Sequence, residues 1–297
     1  MLKRLFALLF ALGCSAAAFL PLTASGSPSY KELLARPRNT PDQHIAYGKA
    51  PQQFGELYLP KGKGPFKVVA IIHGGCWLAE LPGPELMDPM AGVLRDRGYA
   101  VWSIDYRRIG HPGGGYPGTF DDAGRAIDML RGLGPKYRLD LGHVVLVGHS
   151  AGGHLALWAA ARARLPANSV LRHPDPLPVR GVVSLSGIPD LAAYRASGAE
   201  ACGGPGTIDS LVGKHADPYA DTAPIALLPL GVKQAIVSGQ TDRIVAAHFG
   251  HDYAAKAKAA GDTVEDIEVP AAGHFDLIDP QAPAWKTVLG AIDAQMK

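Results

Sequence analysis

VVLVGHSAGGHL, residues 144–155, runs from an apolar, β-branched stretch through Gly-x-Ser-x-Gly into an alanine- and leucine-rich segment. That change of pattern reads as a strand, a tight turn and a helix. Small residues are needed around Ser150 because the chain crosses itself closely and the serine is held in a strained backbone conformation. The helix that follows places the Ala151 N–H, with its partial positive charge, beside whatever is held at the serine. An ordinary βα turn with serine as N-cap has the same local sequence. The rest of the chain has to decide.

Further apolar strand runs occur at Val68–His73, Val101–Tyr106, Val179–Leu185 and Gln234–Ser238, and Val264–Val269 reads as the last strand. Helical patterns separate them at Glu85–Gly98, Phe120–Leu133, Gly152–Arg164, Ala246–Ala260 and Ala284–Met296. Strands that are apolar throughout, alternating with helices, predict an α/β fold with a mainly parallel central sheet covered on both faces. No internal repeat or linker divides residues 53–297, which read as one catalytic domain. Residues 28–52, rich in proline and polar side chains, read as an irregular N-terminal arm. The stretch Pro189–Gly231 is the longest interruption; it has room for a small cap but not for a large lid domain.

The 297-residue chain is 47% hydrophobic and 19% charged, which is a globular balance. A net charge of +2, without basic runs interleaved with aromatic residues, argues against nucleic acid as a partner. Residues 1–27 place Lys3 and Arg4 before the apolar run from Leu5 to Leu12 and then small residues, the order of a secretory signal peptide. Ala11–Cys14 is also an imperfect lipoprotein box, and Leu5–Leu22 is uncharged over a length that suits an uncleaved anchor. Each version predicts export, to the periplasm or outside, with membrane contact only through that segment. In an oxidising compartment Cys76 and Cys202 can form a bridge, or they can remain buried thiols.

In a sheet of this kind ligands bind beyond the carboxyl ends of the strands, and the unusual residues collect there. His73-Gly74-Gly75-Cys76-Trp77 follows one strand run, and its glycines leave backbone N–H groups accessible. With the Ala151 N–H, those of Gly74, Gly75 and Cys76 can hold a developing oxyanion. A serine hydroxyl needs a general base, itself oriented by a carboxylate. Asp242, in SGQTD (238–242), and His274, in AGHFD (272–276), each follow a later strand, giving the order Ser…Asp…His. Trp77, Tyr116 and Phe275 are candidate pocket walls, with plain core packing as the alternative. His248 and His251 lack an adjacent carboxylate motif and read as a solvated helix face, so neither a metal nor a cofactor is expected.

Taken together, HGGCW (73–77), DYR (105–107), GHSAGGHL (148–155), SGQTD (238–242) and GHFDLID (273–279) resemble the α/β-hydrolase family, in its esterase, lipase and arylformamidase-like branch with a His-Gly-Gly loop. The resemblance spans residues 54–296. It implies Ser150 as nucleophile, Asp242 as acid and His274 as base, with Gly74–Cys76 and the Ala151 N–H as oxyanion hole. Cys76 stands where arylformamidase-like members more often have an aromatic residue. The implied activity is hydrolysis of small or medium carboxylic esters through an acyl-enzyme. An amide or formamide hydrolase with the same residues is the alternative, and a catalytically silent binding module on the same fold is a third.

Overall fold

The computed structural model describes residues 27–297. Eight strands form one sheet: β1 (Gln43–Ala46), β2 (Phe54–Tyr58), β3 (Phe66–Ile72), β4 (Ala100–Ile104), β5 (Leu139–His149), β6 (Gly181–Leu185), β7 (Lys233–Gly239) and β8 (Val264–Val269). Their order is β1-β2-β4-β3-β5-β6-β7-β8. β2 is antiparallel to both β1 and β4, and every pairing from β4 through β8 is parallel.

The continuous apolar character of the central strands has a direct cause: successive side chains enter two different cores. Val68, Ala70 and Ile72 of β3 and Val144 and Leu146 of β5 point into one core. There they meet residues of α3 (Gly118–Asp128), α5 (Ala151–Ala160) and α8 (Ala247–Ala259), including Phe120, Leu155 and Tyr253. Val69, Ile71, Val145 and Val147 point the other way. They meet Leu33 of α1 (Tyr30–Leu34), Met90 and Leu94 of α2 (Asp88–Asp96), and Val288 and Ile292 of α9 (Trp285–Gln295). Helices therefore cover both faces, and neither face of a central strand can tolerate a polar run.

Several boundaries differ from the sequence reading. Residues 28–52 are not irregular throughout: α1 is opened by a Ser29/Glu32 capping box, and β1 pairs with β2. The sheet thus begins before residue 53. Its first strand is almost fully exposed, so no apolar run marked it. The helix expected over Phe120–Leu133 is two helices, α3 and α4 (Leu130–Tyr137), and Pro135 lies inside α4 rather than ending it. The interruption after β6 is a cap segment holding α6 (Leu191–Ser197) and α7 (Pro205–Val212). It is fastened to α5, where His154 Nε2 donates to the Thr222 carbonyl at 2.8 Å and Trp158 Nε1 to that of Asp221 at 2.8 Å. The expected leader, including Cys14, lies outside the described residues apart from Ser27. Among the described residues no helix is long and apolar enough to cross a membrane.

This topology brings the loops after β3, β5, β7 and β8 to one rim. Residues 73–77, Ser150, Asp242 and His274 all lie just past the carboxyl ends of those strands.

Candidate active site

Ser150 sits between β5 and α5 with φ 55° and ψ −123°, a conformation an L-residue adopts only under constraint. The constraint is the close crossing of strand and helix. A Cβ on Gly148 would lie 2.0 Å from the Gly152 carbonyl oxygen, and one on Gly152 would lie 2.1 Å from that of Ile72. Only glycine fits at either place. The Ser150 N–H donates to Leu185 of β6 at 2.9 Å, and the Ser150 carbonyl accepts from Gly153 at 2.8 Å. The backbone is thereby fixed on both sides while the Ala151 N–H donates to no protein group among the described residues.

Asp242 is held in the turn after β7, where its Oδ1 accepts from the N–H groups of Ile244 (2.8 Å) and Val245 (2.9 Å). Its Oδ2 accepts from His274 Nδ1 at 2.6 Å. Burial pushes the Asp242 carboxyl up, but the His274 hydrogen bond and charge, with the Ser186 hydroxyl and the Val245 N–H, bring it below the usual carboxylate value. Asp242 is therefore the ionised partner of the pair. With Nδ1 committed, His274 Nε2 makes no hydrogen bond to protein among the described residues, and both His274 and Ser150 line one cleft.

A second imidazole lies against the first. His149 and His274 have ring centroids 4.4 Å apart, and His149 Nε2 donates to the His274 carbonyl at 3.0 Å. Burial, and then the neighbouring His274, push the His149 pKa down to about 3. It is a neutral spacer that fixes the His274 main chain. The sequence reading gave it no role, although it occupies the variable position just before the serine.

The loop after β3 is shaped by His73, whose ring nitrogens contact Asp105 Oδ1 at 3.0 Å and the Gly74 carbonyl oxygen at 2.7 Å. Tyr106 stacks on that ring and its hydroxyl donates to the His73 carbonyl at 2.9 Å. Asp105 and Tyr106 thus frame the loop, while Arg107 forms a two-point ion pair with Asp122 of α3 at 2.8 Å. The N–H groups of Gly74, Gly75 and Cys76 have no protein acceptor among the described residues. Cys76 is disulfide-bonded to Cys202 of the cap segment, which settles the question the sequence left open.

The cleft has a volume of about 160 Å³. Gly75, Cys76, His149, Ser150, His274 and Phe275 contribute to its wall, and so do Tyr30, Leu86, Ala201 and Ile244. Larger depressions exist, one of about 670 Å³ beside Asp42, Lys61 and Arg95, but that one holds none of these groups. Two expected wall residues lie elsewhere. Trp77, with φ 57°, turns its indole into the core edge-on to His154. Tyr116 stacks on His215 at 4.4 Å and its hydroxyl donates to Asp221, in a depression separate from the cleft that Ser150 lines. In their place Tyr30 arrives from α1, 6.2 Å from Phe275. The carboxylates nearest His274 in sequence are already engaged, Asp276 with the Gly273 N–H and Asp279 with Arg36.

The BD-FAE family model matches residues 56–256, most of the chain. The chain belongs to the BD-FAE family, a family of α/β-hydrolases. Among curated relatives, a probable isoprenylcysteine alpha-carbonyl methylesterase from Arabidopsis thaliana is 35% identical over 114 residues, 38% of this chain and 23% of that protein. Esterase LipC of Mycobacterium tuberculosis is 25% identical over 254 residues, 80% of this chain and 60% of that one. The chain thus spans about a quarter of the length of the plant methylesterase it matches. Among solved structures, esterase B from Lactobacillus rhamnosis superposes with a TM-score of 0.75 at 22% identity, covering 90% of each chain. A truncated carbohydrate esterase from gut microbiota gives 0.71 at 22% identity, covering 87% of this chain and 97% of that one. The architecture is the α/β-hydrolase fold.

The lowered Asp242 carboxyl fixes one pH dependence. A group whose folded-state pKa lies below its unfolded value stabilises fully above the ordinary carboxylate range and loses that contribution as pH falls through the folded value. Urea denaturation should therefore find Asp242→Asn less stable than wild type at pH 7, with the difference closing in strong acid. A difference that stays constant down the pH series would contradict the assignment of Asp242 as the ionised partner of that hydrogen bond.

Proposed function

We propose that the protein is a carboxylic ester hydrolase that works through an acyl-enzyme on Ser150. The observation that carries this reading is the Asp242–His274 hydrogen bond, which leaves the opposite imidazole nitrogen free in the cleft that Ser150 lines. Family membership and relatives named esterase or methylesterase support the same chemistry.

In this reading His274 Nε2 takes the Ser150 proton as Oγ attacks the ester carbonyl, and Asp242 stabilises the imidazolium that forms. The N–H groups of Ala151 and of the loop Gly74–Cys76 receive the oxyanion, Ala151 from the positive end of α5. His274 then returns the proton to the leaving alcohol, and water, activated by the same imidazole, releases the acid. His149 stays uncharged beside it, so no second cation opposes the imidazolium.

The cleft, at about 160 Å³, is well below the roughly 300–1,000 Å³ of sites that enclose drug-sized ligands. Its walls are mainly apolar, with Tyr30, Leu86 and Ile244 lining it beside Ser150 and His274. The acyl group we assign is accordingly short. We further propose that the protein works outside the cytoplasm, a reading supported by the leader-like first residues and the Cys76–Cys202 bridge.

Kinetics on a paired panel of p-nitrophenyl acyl esters and N-formyl anilides tests the reaction class. Wild type should turn over acetate and propionate esters fastest, and Ser150→Ala should abolish that turnover in a folded protein. Asp242→Asn should lower kcat by about 10⁴, as expected when the imidazole loses its orienting carboxylate. Faster cleavage of the formyl anilides would contradict the ester assignment.

Chain length tests the wall. Tyr30→Ala removes the one side chain that α1 contributes, so kcat/KM for a hexanoate ester should rise relative to acetate. An unchanged ratio would remove Tyr30 from the acyl pocket.

A further inference from the structure

The Cys76–Cys202 bridge lies where the loop and the cap segment meet at the cleft. Three successive residues of the loop are in the left-handed region: Gly75 at φ 100°, Cys76 at 50° and Trp77 at 57°. For the two non-glycine residues that conformation persists only where the surroundings over-determine it. On the far side of Cys76, the Leu78 N–H donates to Gly75 at 2.9 Å, Ile109 donates to Trp77 at 2.8 Å, and the Trp77 indole is buried. At Cys76 itself the main-chain N–H has no protein acceptor among the described residues, and the restraint there is the bridge, with Cα atoms 5.3 Å apart.

The other end is anchored toward Asp242. The Cys202 carbonyl accepts from the Thr207 hydroxyl at 2.7 Å. The Tyr194 hydroxyl lies 3.5 Å from Cys202 Sγ and donates to the Ile244 carbonyl at 3.1 Å. The Ile244 N–H in turn donates to the Asp242 carboxylate at 2.8 Å. One line of contacts therefore runs from the loop, through the disulfide and the cap segment, to the turn that carries the acid.

We propose that the Cys76–Cys202 disulfide is a positioning element for the reaction, holding the Gly75 and Cys76 N–H groups toward the oxyanion, beyond any share it has in global stability. The inference rests on the reading of this loop as the oxyanion site. Because the donors act on charge that develops in the transition state, loosening them lowers kcat and leaves ground-state binding, and so KM, nearly unchanged.

The experiment compares the oxidised wild type with the same folded protein reduced by a trialkylphosphine. The phosphine gives two electrons and takes oxygen from water, and the water's protons complete the Cys76 and Cys202 thiols. A thiol count verifies reduction, circular dichroism verifies the fold, and a Cys76→Ser, Cys202→Ser double variant repeats the comparison without reductant. The expected result is a fall in kcat of at least tenfold, up to the roughly 10²–10³-fold that follows loss of one oxyanion donor, with KM held and activity recovered on reoxidation. Unchanged kcat in a reduced, folded protein overturns the proposal even if the melting temperature falls. Loss of the folded signal on reduction overturns it too, because the bridge would then serve the fold and not the loop. Failure of the underlying reading looks different: the oxidised wild type itself would not hydrolyse esters.

Discussion

The crossing of β5 and α5 at Gly148 and Gly152 is the constraint on which the site depends. With no side chain allowed at either position, strand and helix approach until backbone nearly touches backbone. Ser150 is then forced into positive φ at the tip of the turn, its N–H tied to β6 and its carbonyl to the first turn of α5. Two consequences come from one geometric fact. The hydroxyl stands at the rim of the sheet, and the first free N–H of the helix stands beside it. The strain at Ser150 is sustained by the apolar strands beneath, whose side chains fill two cores at once.

Around that serine the charges are arranged with little redundancy. Asp242 is satisfied by two backbone N–H groups and His274, which keeps it ionised despite its burial. His149 is packed as close to His274 as a partner would be, yet burial keeps it neutral. A cation there would oppose every positive charge gained by His274. His154, one turn further along α5, is likewise buried, its pKa pushed down to about 4, and it serves to hold the cap segment. The histidine-rich motif around Ser150 thus contains one structural brace on each side of the serine.

The parts of this arrangement legible in the sequence are those written in strands. Gly148–Gly152, Asp242 and the glycines of loop 73–77 each follow an apolar run, His274 follows the more polar β8, and a parallel sheet sends all such ends to one rim. Contributions from exposed or irregular segments were not legible. β1 has an exposed face pattern that resembles a loop, and α1 buries only Leu33, so the arm that delivers Tyr30 carried no signal. Of the three aromatic residues expected as pocket walls, Phe275 lines the cleft, whereas Trp77 and Tyr116 do not, because side-chain direction is set by backbone conformation. The positive φ at Trp77 turns it inward, and nothing in its spacing says so. The pairing of Cys76 with Cys202, 126 residues apart, depends on the path of the cap segment, which no periodicity records. His149 is the one missed residue with a positional clue, since it adjoins the serine in the motif itself.

The proposed first covalent step is attack by Ser150 Oγ as nucleophile. The most direct measurement is mass-spectrometric peptide mapping after reaction with a fluorophosphonate. A single phosphonyl adduct on the peptide containing Ser150, absent when His274 is replaced by alanine, is the predicted result. An adduct on another residue, or equally fast labelling without the imidazole, would contradict it.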